Sequence, residues 1–348
     1  MKTTTSTQVT HYEIQKKRRE SLLEEWRGYH KKVLRRSDVR MVDSPSRRTR
    51  RGVYAGWDGD RPTKNLDATL HEIDPGVTTT IHRHSWDAIM FVESGSGWTE
   101  IDGQRIEWKP WDTIHLPGWA WHRHGNEGDK TAVFHTWSVQ PMLEQFGVAL
   151  LEDGGDVPVA ELPPRPQQVA PISGDDPYAR RTQRLARQWE GNESARLITR
   201  FEDVRGLVTK RGARSLFLVD KSIGYHTAGL SAVMHELAPG KYQSRHRHGG
   251  EAWLLGVSGS GYSVVDDVRH DWEAGDLVVV DHWQMHQHFN ASNDKTARLI
   301  RVHNFDALYD MMRILLDPLN LFEELPTLDA PDLSDVVWPD HLDGRPEA

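Results

Sequence analysis

HEIDPGVTTTIHRHSWDAIMFVESGSGWTEIDGQRIEWKPWDTIHLPGWAWHRHGN, residues 71–126, lies over HELAPGKYQSRHRHGGEAWLLGVSGSGYSVVDDVRHDWEAGDLVVVDHWQMHQHFN, residues 235–290, without a gap. The offset is 164 throughout, and 20 of the 56 positions are identical. His71 falls on His235, His82 on His246, His84 on His248, His122 on His286, His124 on His288 and Asn126 on Asn290. A repeat of this length is too long for a solenoid unit and suits a small domain. Each copy is a series of short apolar runs, such as AIMFV and LVVVD, separated by turn signals such as EIDG and EAGD. That pattern predicts strands in a sandwich or barrel of the jelly-roll kind, present twice.

In a strand, residues i and i+2 face the same way. His82 and His84 therefore point together, as do His246 and His248. Some 40 residues later, His122 with His124, or His286 with His288, again share a face. Two histidines on one strand and one on a facing strand present their nitrogens to a single divalent ion. The 348-residue chain has 19 histidines and no cysteine, so any metal is held by nitrogen or oxygen. One HxH alone is usually an exposed or hydrogen-bonded pair; recurrence at a constant offset predicts metal binding. A carboxylate ligand would belong four residues after the second histidine, but Ala88 and Ala252 stand there. Asp87 and Glu251, one residue earlier, should turn away unless a bulge intervenes, and the Gly249-Gly250 before Glu251 is flexible enough for one.

Outside the repeat, the net charge of −8 is uneven: residues 1–51 carry 15 Lys/Arg against 6 Asp/Glu. Ile14, Leu22, Leu23, Trp26, Tyr29 and Val33 recur at a helical period, which predicts a helix over Tyr12 to Leu34. A basic arm suits nucleic acid, but such a contact would not need these apolar positions. A helix docked on an acidic body or a second subunit accounts for them, so no nucleic-acid partner is expected. No run of 18 apolar residues and no apolar leader is present, which predicts no membrane partner and a cytoplasmic protein. The expected organisation is a basic helical arm (1–51), a first β unit (52–150) and a linker with a short helix from Tyr178 to Trp189 (151–190). A second β unit (191–305) and a C-terminal segment with a helix from Asp306 to Leu316 and an acidic tail (306–348) follow.

The segment GVTTTIHRHSWDAIMFVESGSG (76–97), followed by GWAWHRHGN (118–126), resembles the two cupin motifs, and the repeat makes the chain similar to bicupins. Within them it resembles the gentisate and salicylate 1,2-dioxygenases, in which a segment like His82–Ala88 precedes one like Pro117–Asn126. The resemblance implies a mainly β fold of two tandem cupin (jelly-roll β-barrel) domains. It implies Fe(II) on His82, His84 and His122, and ring cleavage by O2 of a hydroxylated aromatic acid or related phenolic compound that chelates the iron. His124, two residues after His122, is the candidate for a hydrogen bond to substrate or oxygen. Trp86 and Met90 should face inward by strand parity, Trp86 to stack on the ring. Met90 stands where the resembling enzymes carry an arginine, which points away from a strictly gentisate-type substrate. Arg50 or Arg51 would then meet the carboxylate, with His71 as a polar substrate-facing residue.

In the resembling enzymes the second cupin usually lacks its ligands, yet His246, His248 and His286 are all present, which allows a second divalent metal. Pro117-Gly118 is replaced there by Asp281-His282. A homodimer or homotetramer is the expected assembly. The alternatives are another bicupin metalloenzyme, such as a flavonol dioxygenase or oxalate-type decarboxylase, and a non-catalytic cupin that binds a metal and an effector.

Overall fold

A computed structural model describes residues 9–28, 31–56, 63, 65–165, 170–187, 195–304, 323–324 and 329–347. The first unit is a sandwich of two antiparallel sheets. One holds, in spatial order, Ile198–Thr199, Thr113–Leu116, Ala88–Ser94, Ala132–Ser138, Asp67–Ile73, Thr49–Ala55 and Val42–Ser44. The facing sheet is Leu151–Gly155, Ile81–His84, His122–Gly125, Gly97–Ile101 and Gln104–Trp108. The second unit repeats the larger sheet with Val33–Leu34, Leu277–Val280, Ala252–Ser258, Ala297–His303, Ser231–Leu237, Arg214–Val219 and Leu207–Val208. Its facing side is made of Val268–Glu273, Ser260–Val265 and His286–Asn290, with Arg247–His248 paired to Glu323–Glu324. Among the described residues, hydrogen bonding does not close the sheets into continuous barrels.

The two larger sheets pack against each other, so both faces of their central strands are buried. In AIMFV, Ala88, Met90 and Val92 point into the first sandwich with Trp108 and Phe134, while Ile89 and Phe91 join a core shared with Trp253 and Leu255 of the second. This two-sided burial explains why the run is uninterruptedly apolar. The turns repeat as well. Asp102 and Gly103 both have positive φ (46° and 86°), as do Asp266 and Asp267 (46° and 67°), the geometry of a tight two-residue hairpin.

Each unit also lends a short strand to the other. Val33 and Leu34 pair with Val278 and Leu277, while Ile198 and Thr199 pair with Ile114 and Thr113. The N-terminal helix accordingly runs His11–Gly28 and stops short of the expected Leu34, because Val33 and Leu34 complete the edge of the distant sheet. It starts with a capping box, in which the Glu13 carboxylate accepts from the Thr10 N–H and the Glu13 N–H donates to Thr10 Oγ1. Basic residues just after it meet the acidic body. Lys32 pairs with Asp281, Arg35 with Asp276 at 2.5 Å, and Arg36 with Glu93 at 3.0 Å.

The segment after the first unit opens as the strand Leu151–Gly155, hydrogen-bonded to Ile81–His84, before it becomes a connector. Its helix spans Pro177–Arg187, capped by the Asp176 carboxylate on the N–H groups of Tyr178 and Ala179. The expected helix over Asp306 to Leu316 lies outside the described residues. No described helix is long and apolar enough to cross a membrane.

Candidate active site

The strands Ile81–His84 and His122–Gly125 are antiparallel neighbours, with His122 directly opposite His82. Their ligand-capable nitrogens, with that of His84, lie within 4.8 Å of one another. The ring centroids of His82 and His122 are 4.2 Å apart and those of His84 and His122 are 4.8 Å apart. The turn that closes the site passes through Trp119, held at φ 63°, whose N–H donates to the His84 carbonyl at 2.6 Å.

Main-chain carbonyls aim the rings. His84 Nδ1 lies 2.7 Å from the Trp86 carbonyl oxygen and His122 Nδ1 lies 2.8 Å from that of Ala120. A carbonyl can only accept, so Nδ1 carries the proton and Nε2 keeps its lone pair for a metal. Burial, then the neighbouring imidazoles, hold His82 and His122 well below the ordinary histidine range. Burial brings His84 down to about 4. All three are therefore neutral at neutral pH, the state a ligand needs. This donor set fits a divalent transition metal and leaves coordination positions open.

The triad opens into a cavity of about 460 Å³, bordered by Arg47, Arg51, Asp67, His71, Trp86, His124, Phe134, Thr136, Glu144 and Asp153. His124 Nδ1 is 2.8 Å from Thr99 Oγ1, which also accepts from Trp108 Nε1 at 3.0 Å. The Thr99 proton has His124 Nδ1 as a far better acceptor than the Met90 sulfur at 3.9 Å. His124 Nε2 then carries a proton toward the cavity, and burial holds this ring neutral with a pKa of about 3. His71 stacks on Phe134, centroids 5.0 Å apart and nearly parallel, and lies 2.9 Å from Thr69 Oγ1. Trp86 lies flat on His84, 4.4 Å between centroids at 1°, so it forms a cavity wall and braces a triad histidine at once.

Met90 is fully buried in the core of the first unit and is not among the cavity-lining residues. Its side chain fills the space behind Thr99. Arg50 points elsewhere, to Glu72 at 2.8 Å and Asp74 at 3.3 Å, whereas Arg51, opposite His71 in the sheet, lines the cavity.

Asp87 and Glu251 both turn away from the triads, as strand alternation predicts. Asp87 binds the Gly118 N–H at 3.0 Å and His115 Nε2 at 3.1 Å; Glu251 accepts from the Leu66 N–H at 3.2 Å. Neither is in a metal-competent group.

Sequence reasoning missed Arg47. Its guanidinium donates to Thr80 Oγ1 at 2.7 Å and contacts His82 Nδ1. Burial lowers it to about 10, against the opposing charge of Asp153. A signal was available, since Arg211 follows Arg47 by the repeat offset of 164. The short helix Gln140–Gln145, which brings Gln140 and Glu144 to the cavity, carried no such signal.

The second triad, His246, His248 and His286, has the same spacing, again within 4.8 Å. The Nδ1 atoms are held by the carbonyls of Ser244, Gly250 and Gln284 at 2.9, 2.7 and 2.8 Å. Although Pro-Gly is replaced by Asp281-His282, the turn survives. Trp283 sits at φ 61° and its N–H donates to the His248 carbonyl at 2.9 Å.

Comparisons with known proteins agree with this architecture. The Cupin domain family matches residues 69–138 and again 233–303. The chain is 27% identical over 263 residues to the 1-hydroxy-2-naphthoate 1,2-dioxygenase of a Nocardioides species, over 72% of this chain. That match covers just under two thirds, 66%, of the relative's length. It is 26% identical over 253 residues to a gentisate 1,2-dioxygenase of Aquipseudomonas alcaligenes, over 67% of this chain and 69% of that protein. In fold it resembles the salicylate 1,2-dioxygenase of Pseudoaminobacter salicylatoxidans, with TM-score 0.57 at 20% identity, over 89% of this chain and 94% of that one. An oxalate decarboxylase mutant of Bacillus subtilis shares the fold at TM-score 0.55 and 14% identity, over 79% and 77% of the two chains. The chain thus carries two cupin domains and resembles the gentisate and salicylate 1,2-dioxygenases in sequence and in fold.

Proposed function

We propose that the protein is a non-haem iron dioxygenase that opens the ring of a hydroxylated aromatic acid at the first triad. The observation that carries this reading is a three-imidazole site with no carboxylate in it, at the end of a cavity walled by arginine and aromatic side chains. Iron(II) on His82, His84 and His122 supplies open positions for the substrate's oxygens and for O2, and the electrons that activate oxygen.

The remaining work falls to the chain's own groups. Neutral imidazoles leave the metal's charge uncompensated, which favours an anionic, chelating substrate. Arg51 and Arg47 are the groups that pair with a ring carboxylate, since a guanidinium matches it with two parallel hydrogen bonds. Arg47 also has to move. A guanidinium only donates, so its contact with His82 uses a ring lone pair that metal ligation would either take or replace by a proton. When His82 binds a metal, Arg47 shifts off the ring and can turn to the substrate. His124 offers its Nε2–H to a substrate or oxygen atom beside the metal. Trp86 and Phe134 with its stacked His71 exclude water and confine a flat ring between them.

Ala88 at the fourth-ligand position and Asp87 committed to His115 speak against a carboxylate-assisted decarboxylation or flavonol oxygenation. The second triad, with the same geometry, holds a second divalent ion in this reading. The assembly is a homodimer or homotetramer, with the exposed Tyr12 and Ile14 of the N-terminal helix against a second copy; light scattering with and without residues 1–28 tests this.

The deciding experiment is oxygen uptake by protein loaded anaerobically with Fe(II), offered gentisate, salicylates, hydroxynaphthoates, catechols, hydroquinones and a flavonol. Stoichiometric O2 consumption with a new ring-opened absorbance supports the proposal. Uptake with the flavonol alone, or none with iron bound, overturns it.

A further inference from the structure

Ser-Gly-Ser-Gly recurs at 94–97 and 258–261, and in each unit its last glycine makes room for an indole. Gly97 is paired with Trp108 in the sheet and Gly261 with Trp272. A Cβ on Gly97 would stand 2.5 Å from the Trp108 ring, and one on Gly261 2.5 Å from that of Trp272. Each indole therefore lies over a position with no space for a side chain. What the two indoles hold is different. Trp108 Nε1 donates to Thr99 Oγ1 at 3.0 Å. Thr99 stands directly opposite His124, its Oγ1 2.8 Å from His124 Nδ1, and all three residues are buried. In the second unit Ser263 keeps the contact, 2.7 Å from His288 Nδ1. Trp272 Nε1, however, is buried with no hydrogen-bond partner among the described residues.

The difference decides a proton, because a hydroxyl has one proton to give and two lone pairs. The Trp108 N–H takes one lone pair of Thr99. Were Thr99 also to accept from His124, its own proton would be left with the Met90 sulfur at 3.9 Å. Donation to His124 Nδ1 satisfies the whole row and leaves the ring proton on Nε2, toward the cavity. Ser263 has no such N–H upon it, so it is free to donate to His288 or to accept from it. We propose that Trp108, acting through Thr99, is a positioning residue of the reaction. It holds His124 in the tautomer that presents an N–H to the cavity, a hold that the second unit lacks. This rests on the reading that the ring opens at the first triad, where a donor aimed at negative charge developing on oxygen favours the reaction.

The test reads the tautomer and the rate separately. The full chain, with isotope-labelled histidine and loaded with zinc, is studied by nitrogen NMR, the His124 signals being assigned by their loss in His124→Gln. Wild type and Thr99→Ser should show the Nε2–H form alone, whereas Trp108→Phe and Thr99→Val should show both forms. In iron-loaded proteins of equal metal content, kcat for oxygen uptake should fall roughly tenfold in Trp108→Phe and Thr99→Val, with KM little altered. Thr99→Ser should keep the wild-type rate, and Trp272→Phe, which removes an N–H with no partner, should change neither reading. An Nδ1–H form in the wild type, or the Nε2–H form alone in every variant, overturns the proposal. A changed tautomer with unchanged kcat overturns the positioning role. If Trp108→Phe does not fold, Thr99→Val, matched in shape to threonine, carries the comparison. Absence of oxygen uptake in every protein counts against the ring-opening reading, and the tautomer still decides whether Trp108 holds His124.

Discussion

Asp87 of the first unit accepts a hydrogen bond at 2.5 Å from the main-chain N–H of Ala228 in the second. Its repeat equivalent, Glu251, returns the contact by accepting from Leu66 of the first unit. Each carboxylate lies three residues beyond a triad histidine, one short of the position where a carboxylate ligand would belong, and joins the two sandwiches. The exchanged strands Val33–Leu34 and Ile198–Thr199 serve the same junction.

Asp87→Ala should cost about 3 kcal/mol, since it strands the buried His115 and two N–H groups. Against the upward push of burial, His115 and the N–H groups of Ala228 and Gly118 hold the Asp87 carboxyl below its ordinary range. Its contribution is therefore complete above the normal carboxylate pKa and is lost as pH falls through the lower folded value. Urea unfolding of wild type and variant at pH 7 and pH 3 should show the gap narrowing in acid; a constant gap would contradict the charge assignment.

His122→Ala should abolish turnover and leave the sandwich folded. The wild-type chain should carry two ions and the variant one. Full turnover in the variant would move the active site to the second unit.

Arg47→Met should have opposite effects on two quantities. Loss of a charge-assisted pair, worth about 1.5–3 kcal/mol, should raise KM for carboxylate substrates by roughly tenfold or more. Metal affinity should rise, because Arg47 no longer competes for His82. Weaker metal binding in the variant would show that Arg47 supports the ligand and does not compete with the ion.

Asp67 borders the cavity, and burial raises its carboxyl to about 6, with Arg51 and the Ser138 N–H opposing. The folded protein then holds a proton that the unfolded chain releases, so this group's contribution falls as pH rises from about 4 to 6. Asp67→Asn should remove that component. Thermal melts of both proteins between pH 4 and 7 should therefore diverge, the wild type losing ground as pH rises.

What could be read without coordinates was whatever depends on strand period and the repeat. His82 and His84 share a face because a pleated backbone alternates, and the 164-residue offset transfers that reading to His246 and His248. The same alternation turned Asp87 and Glu251 away from the histidine triads. Tertiary structure alone decided what depends on which strands become neighbours. Parity pointed Met90 inward, yet it took the packing of Thr99, Trp108 and Phe134 to bury it behind the cavity wall. A helical period running to Val33 gave way to a strand because the open edge at Leu277–Val280, more than 240 residues away, offered hydrogen bonds that a solvent-exposed last turn could not match. Arg47 reached His82 through a fold that closes 35 residues of chain, a contact that no local pattern encodes. Periodicity is a property of the backbone and is written residue by residue; closure is a property of the packed whole.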